Sequence, residues 1–122
     1  METIKFSHNW NNKLLLDNYF TTIRVYSKKK HIAGCLIKCE YTRRGETIEF
    51  ITEIATVQLV KLDLIPEFVF MTDTGYPKQE SIAMFEKMYQ NTAVNVHEAQ
   101  FAIICLKHRP DLEEHVKLQH AG

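Results

Sequence analysis

The sequence predicts an α+β domain built on a small, curved antiparallel or mixed β-barrel with flanking helices. Three observations lead there. Several segments are rich in aromatic and β-branched residues, as strands are. One pair of them is joined by a short glycine-containing turn. About three helical stretches lie among the strands without a regular strand–helix alternation. With 122 residues, 45% apolar and 25% charged, the chain is long enough for one hydrophobic core. Residues 1–107 read as the domain and 108–122 as a tail.

The elements follow in order. Thr3–Phe6 reads as a short strand. Ser7 or Asn9 is placed to cap a helix by accepting from its first free amides, with Trp10 and Leu14 on one face and a stop near Asp17–Asn18. The run YFTTIRVY suits a strand, as do GCLIKCEY and TIEFITEIATVQL, with TRRGE as the hairpin loop and Gly45 available for positive φ. In the long strand, Ile48, Phe50, Thr52, Ile54 and Thr56 form the more apolar face. Asp63 to Met71 reads as a short helix capped by Asp63, with Pro66 in its first turn. DTGYP makes a turn, in which Tyr76 either packs on the next helix or covers a cleft. Pro77 opens a helix, PKQESIAMFEKMYQ, with Ile82, Phe85 and Tyr89 or Met88 as its buried stripe. AQFAIICL is apolar throughout, as in a strand covered on both faces. A last helix is expected from Pro110, anchored by Leu112 and Val116.

Composition excludes several classes. No apolar run approaches the roughly 18 residues that cross a bilayer, and METIKFSHNW lacks the apolar core of a secretory signal. Three cysteines without redox spacing point to reduced thiols in a cytoplasmic protein. Cys35 and Cys39 read as small apolar fillers on an inward strand face. The histidines show no ligand spacing and the four glycines are not clustered, so neither a metal site nor a cofactor is expected.

Net charge is zero but unevenly spread. Residues 1–62 carry ten Lys/Arg against six Asp/Glu, and residues 63–122 five against nine, giving +4 and −4. Lys28, Lys29, Lys30 and the pair Arg43–Arg44 lie in the basic half. They are either solvated loop charges or a surface for a polyanion.

The densest polar stretch is FSHNWNNKLLLDNYFTTIR. Alternation on its strand puts Thr22, Arg24 and Tyr26 on one side and Thr21, Ile23 and Val25 on the other. Ile23 and Val25 belong in a core, which directs Thr22 and Arg24 at solvent or a cleft. A hydroxyl beside a guanidinium suits phosphate, carboxylate or a base edge. The bland alternatives are an exposed Thr-x-Arg without function, Trp10 as a core anchor, and asparagines that only cap.

This stretch, the T-x-R strand, and a D-T-G-Y turn before a helix and a last apolar strand together resemble the ASCH family of the PUA-like superfamily, in its small bacterial and phage forms. The resemblance covers roughly Thr3 to Lys107. It implies a β-barrel with flanking helices whose cleft binds RNA or a modified nucleoside, with Arg24, Thr22, Asn12, Tyr19 and Trp10 around the ligand. Some ASCH proteins hydrolyse the amide of an N-acetylated cytidine, using a Lys-x-x-Thr-x-Arg pattern and a later glutamate. Thr22 falls on the threonine nucleophile and Arg24 on the arginine. Tyr19 stands in the lysine position, and Asp73 or Thr74 near the glutamate. Lys13, on the preceding helix, is the lysine available to reach the cleft. The leading expectation is an RNA- or nucleotide-binding domain, with Lys28–Lys30 and Arg43–Arg44 adding salt-dependent affinity. The alternatives are an amidohydrolase using Thr22, Lys13 and Asp73, and a module that holds a protein partner.

Overall fold

A computed structural model describes residues 1–112. Five strands form one mixed sheet in the order β1-β3-β4-β5-β2. They are β1 (Thr3–Phe6), β2 (Tyr19–Val25), β3 (Leu36–Arg43), β4 (Glu46–Lys61) and β5 (Gln100–His108). Only the β1–β3 pair is parallel; the others are antiparallel. The sheet curls into a half-barrel accompanied by helices α1 (Lys13–Leu16), α2 (Glu67–Thr74) and α3 (Lys78–Tyr89).

Two apolar clusters hold the fold. The first draws on all five strands and on Leu14, including Ile4, Phe20, Ile37, Phe50, Ile54 and Leu106. The second lies on the other side of the sheet, where Ile23 and Phe101 meet Leu62, Ile65, Phe70, Phe85 and Val96. β5 therefore has both faces covered, as its unbroken apolar run predicts. On α3 the buried stripe is Ile82, Phe85 and Tyr89, whereas Met88 is exposed.

β1 and β2 are the two edges of the curled sheet, and a side chain bridges them. Arg24 Nη2 on β2 donates to the Lys5 carbonyl on β1 at 2.7 Å. Its guanidinium also lies 4.7 Å from the centroid of the Phe6 ring, a cation–π contact. Phe6 in turn meets Phe20 edge-on at 6.0 Å.

The structure corrects several local expectations. The single helix after β1 is instead a 3-10 turn, Trp10–Asn12, followed by the short α1. Asn11 and Asn12 have φ of 53° and 56°, the left-handed region that asparagine tolerates better than most residues. Asn9 Oδ1 then accepts from the Leu14 amide at 2.9 Å. The break separates two residues expected on one face: Leu14 is fully buried and Trp10 is 47% exposed.

In β4 the register slips between Ile54 and Thr56. This bulge reverses the alternation, so Val57 rather than Thr56 packs on the first cluster. Ile48, nearer the hairpin, is exposed. Pro66 does not enter the next helix; it precedes α2 in an extended conformation, after a 3-10 turn at Leu62–Leu64. α2 instead continues through Asp73 to Thr74 and ends where Gly75 takes φ 84° and its amide bonds to Met71 O. Cys39 is buried, but Cys35 precedes β3 and is exposed. Of the expected C-terminal helix, residues 110–112 are helical, and the anchor Val116 lies outside the described residues.

One surface cluster ties α3 to the far end of β4. His97 Nδ1 lies 3.0 Å from Asp63 Oδ2, and its Nε2 lies 3.0 Å from Glu86 Oε2 on α3. Only the imidazolium donates from both nitrogens. The hydrogen bonds to Glu86 and then Asp63 raise the His97 pKa above its ordinary value. A raised folded pKa means a contribution fully present below about pH 6.5 and lost as pH rises through the higher folded value. Urea midpoints of wild type and His97→Gln are expected to differ most below about pH 6.5 and to converge only above the raised folded value.

Candidate functional site

A cleft of about 740 Å³ opens along the free edge of β2. β1 and the loop after it contribute Lys5, Phe6, Ser7, His8, Asn9 and Trp10. β2 contributes Thr22, Ile23 and Arg24, and α1 contributes Lys13. The opposite wall comes from the end of α2 (Asp73, Thr74), the turn after it (Tyr76) and α3 (Glu80, Met84, Phe85, Met88, Tyr89). Because the cleft follows an edge rather than a face, side chains from both faces of β2 reach it. Trp10 is held against the end of α2: a Cβ on Gly75 would stand 2.5 Å from its ring. Only glycine fits both that approach and the positive φ.

One end of the cleft is a buried ionic cluster. Lys13 Nζ donates to Thr21 O at 2.7 Å, Asp73 O at 2.7 Å and Asp73 Oδ1 at 3.1 Å. Those three bonds engage all the donors of its ammonium group. Asp73 Oδ1 also accepts from the Thr21 hydroxyl at 2.8 Å. Asp73 Oδ2 makes no hydrogen bond among the described residues.

Arg24 forms the second polar feature. Its Nε donates to Thr22 Oγ1 at 3.0 Å, and its Nη2 to Lys5 O. No carboxylate pairs with it among the described residues, and Nη1 has no hydrogen-bond partner there. Burial pulls its pKa down, an effect that the nearby Tyr89 and Asp73 partly offset. A guanidinium stays protonated even so. The result is a half-buried cation on the cleft wall, held by Thr22, Lys5 and Phe6 and without a carboxylate pair among the described residues.

The cleft brings together Trp10, Lys13, Thr22, Arg24 and Asp73 from the sequence-based candidates. Of the two expected directions, solvent or a cleft, Thr22 takes the cleft: it is buried and lines the wall. Asn12 lies outside the lining, and its Oδ1 accepts from Asn9 Nδ2 at 2.7 Å. Tyr19 also lies outside it, half-exposed, with Lys107 Nζ 5.9 Å from its ring centroid. Lys28, Lys29, Lys30, Arg43 and Arg44 do not line the cleft either. Lys29 pairs with Glu2 at 3.4 Å.

Sequence reasoning missed Thr21, whose hydroxyl engages Asp73, and the α3 wall. The spacings Met84/Met88 and Phe85/Tyr89 give that wall as two adjacent helical rows. What they withhold is that part of the stripe stops short of the core and borders a hollow. Among the described residues, no group of His, Cys, Asp and Glu could hold a metal ion, and no helix is long and apolar enough to cross a membrane.

Comparisons with protein-family models, with curated proteins and with solved structures returned no match.

Proposed function

We propose that the cleft binds an RNA or nucleotide-like ligand, within a cytoplasmic domain of the ASCH, PUA-like kind. The observation that carries this reading is Arg24: a half-buried guanidinium over the Phe6 ring, with no partner on Nη1 among the described residues, in a cleft also lined by Trp10, Tyr89, Met84 and Met88. A nucleotide supplies what these groups lack, namely a carbonyl or phosphate oxygen for the cation and a flat ring for the apolar walls. The volume of about 740 Å³ falls in the range of small-molecule pockets. The FTTIR segment and the D-T-G-Y stretch, by which the chain resembles the ASCH family, support the same reading.

Trp10 is the only tryptophan in the chain and stands on the cleft wall, so its fluorescence reports occupancy. Adding ribonucleoside monophosphates or short single-stranded RNA at low salt is expected to change that emission saturably. An emission that stays constant while the ligands are titrated contradicts the reading.

The convergence of Lys13, Asp73 and Thr21 beside Thr22 favours one second reading, an amidohydrolase acting on an N-acylated cytidine-type nucleoside. It requires a base for the Thr22 hydroxyl, yet Lys13 is fully engaged and Asp73 bonds to Thr21 instead. Turnover of N-acetylcytidine that disappears in Thr22→Ala would establish this activity, and its absence would end it.

A further inference from the structure

We infer that the cleft takes one nucleotide unit, a free mononucleotide with its base inserted, and does not track along an RNA strand. This inference rests on the nucleotide reading above and narrows it. Its basis is where the cations stand.

A protein that follows a single strand neutralises successive phosphates, and its affinity then grows with length and falls steeply with salt. That requires a row of cations leading away from the base pocket. Here the cations are divided. The Lys29–Glu2 pair places the lysine loop at the start of β1. The pairing of Phe6 with Tyr41 puts Arg43 and Arg44 beyond the other end of that strand. The two clusters thus flank opposite ends of β1, which at ~3.3 Å per residue spans ~13 Å. Neither lines the cleft.

Inside the cleft, Lys13 is consumed by Asp73 and two carbonyls. Of its lysines and arginines, what remains is Arg24 at depth and Lys5, which is exposed at the rim; His8 and Glu80 also stand on the walls. One cation for a base oxygen and one for a phosphate match a single nucleotide. Among the described residues, no lysine or arginine besides Lys5, Lys13 and Arg24 lines the cleft.

The test compares each ribonucleoside 5′-monophosphate with the matching homopolymer octamer, by Trp10 fluorescence over a range of salt concentrations. The octamer is expected to bind within about eightfold of the monophosphate, the statistical factor of its eight units, with a logarithmic salt slope of about one or less, as for a single phosphate contact. The double variant Arg43→Ser/Arg44→Ser is expected to bind the monophosphate with unchanged affinity. An octamer that binds more than about tenfold tighter, with a slope of roughly two or more that the double variant reduces, overturns the single-unit inference and leaves the nucleotide reading intact. Failure of both probes to bind overturns both.

Discussion

Replacing Lys13 with methionine is expected to lower the free energy of unfolding by about 3–5 kcal/mol, the usual consequence of removing one partner from a buried ion pair. The side chains of Lys13 and Asp73 are 11% and 8% exposed, so solvent does little to replace the lost contact. Methionine keeps the length and apolar character of the stem, which isolates the charge. Without the ammonium, Asp73 retains only the Thr21 hydroxyl on Oδ1, and the carbonyls of Thr21 and Asp73 lose a donor. Three elements are affected together, since this one side chain joins α1 to β2 and α2. The double variant Lys13→Met/Asp73→Leu is expected to recover much of the loss, because it removes the stranded charge as well. Urea unfolding of the two variants beside wild type measures both effects. A single variant as stable as the wild type would show that the ionic cluster does not hold the cleft together.

The second large effect is on binding. Arg24→Met is expected to weaken nucleotide affinity by about ten- to a hundredfold, corresponding to the roughly 1.5–3 kcal/mol of a hydrogen bond to a charged group. The stability change should be smaller. The methionine stem still packs near Phe6; the Lys5 carbonyl loses its donor in an exposed bond where water replaces it, and Thr22 Oγ1 loses a part-buried one. Arg24→Lys separates charge from shape: an ammonium retains the cation but cannot bond to Thr22, Lys5 and a ligand in one plane. Its affinity is expected to fall between wild type and Arg24→Met.

Local chemistry made much of this fold legible. The aromatic and β-branched run at Tyr19–Val25 gives β2, and Gly45, with φ 81° beside Arg44 at 51°, closes the β3–β4 hairpin where the sequence places it. The stripe of Ile82, Phe85 and Tyr89 identifies the buried face of α3. What was not legible depends on contacts distant in sequence. The bulge after Ile54 is set by pairing with Leu106 and Cys105, which no window of β4 contains. The run of asparagines reads as polar side chains for a ligand or as caps. Asn9 does cap, but Asn11 and Asn12 serve chiefly to turn the backbone left-handed, and that turn sends Lys13 inward.

The site was half legible for the same reason. Alternation on β2 correctly pairs Thr22 with Arg24, yet it cannot reveal that the opposite face also matters, because Thr21 meets Asp73 across 52 residues. Asp73 was placed in a turn; helix α2 runs one residue past it before Gly75 ends the helix, and that extension brings its carboxylate to Lys13. Tyr19, which stands where the resemblance expects a lysine, lies outside the cleft.

The most direct test of the central claim is to follow the guanidinium resonances of Arg24 by NMR while a ribonucleoside monophosphate is titrated and Trp10 emission is recorded in parallel. If Arg24 is the cation that receives the ligand, its side-chain signals shift saturably, with the same midpoint as the fluorescence. Signals that stay fixed through the titration would contradict the account.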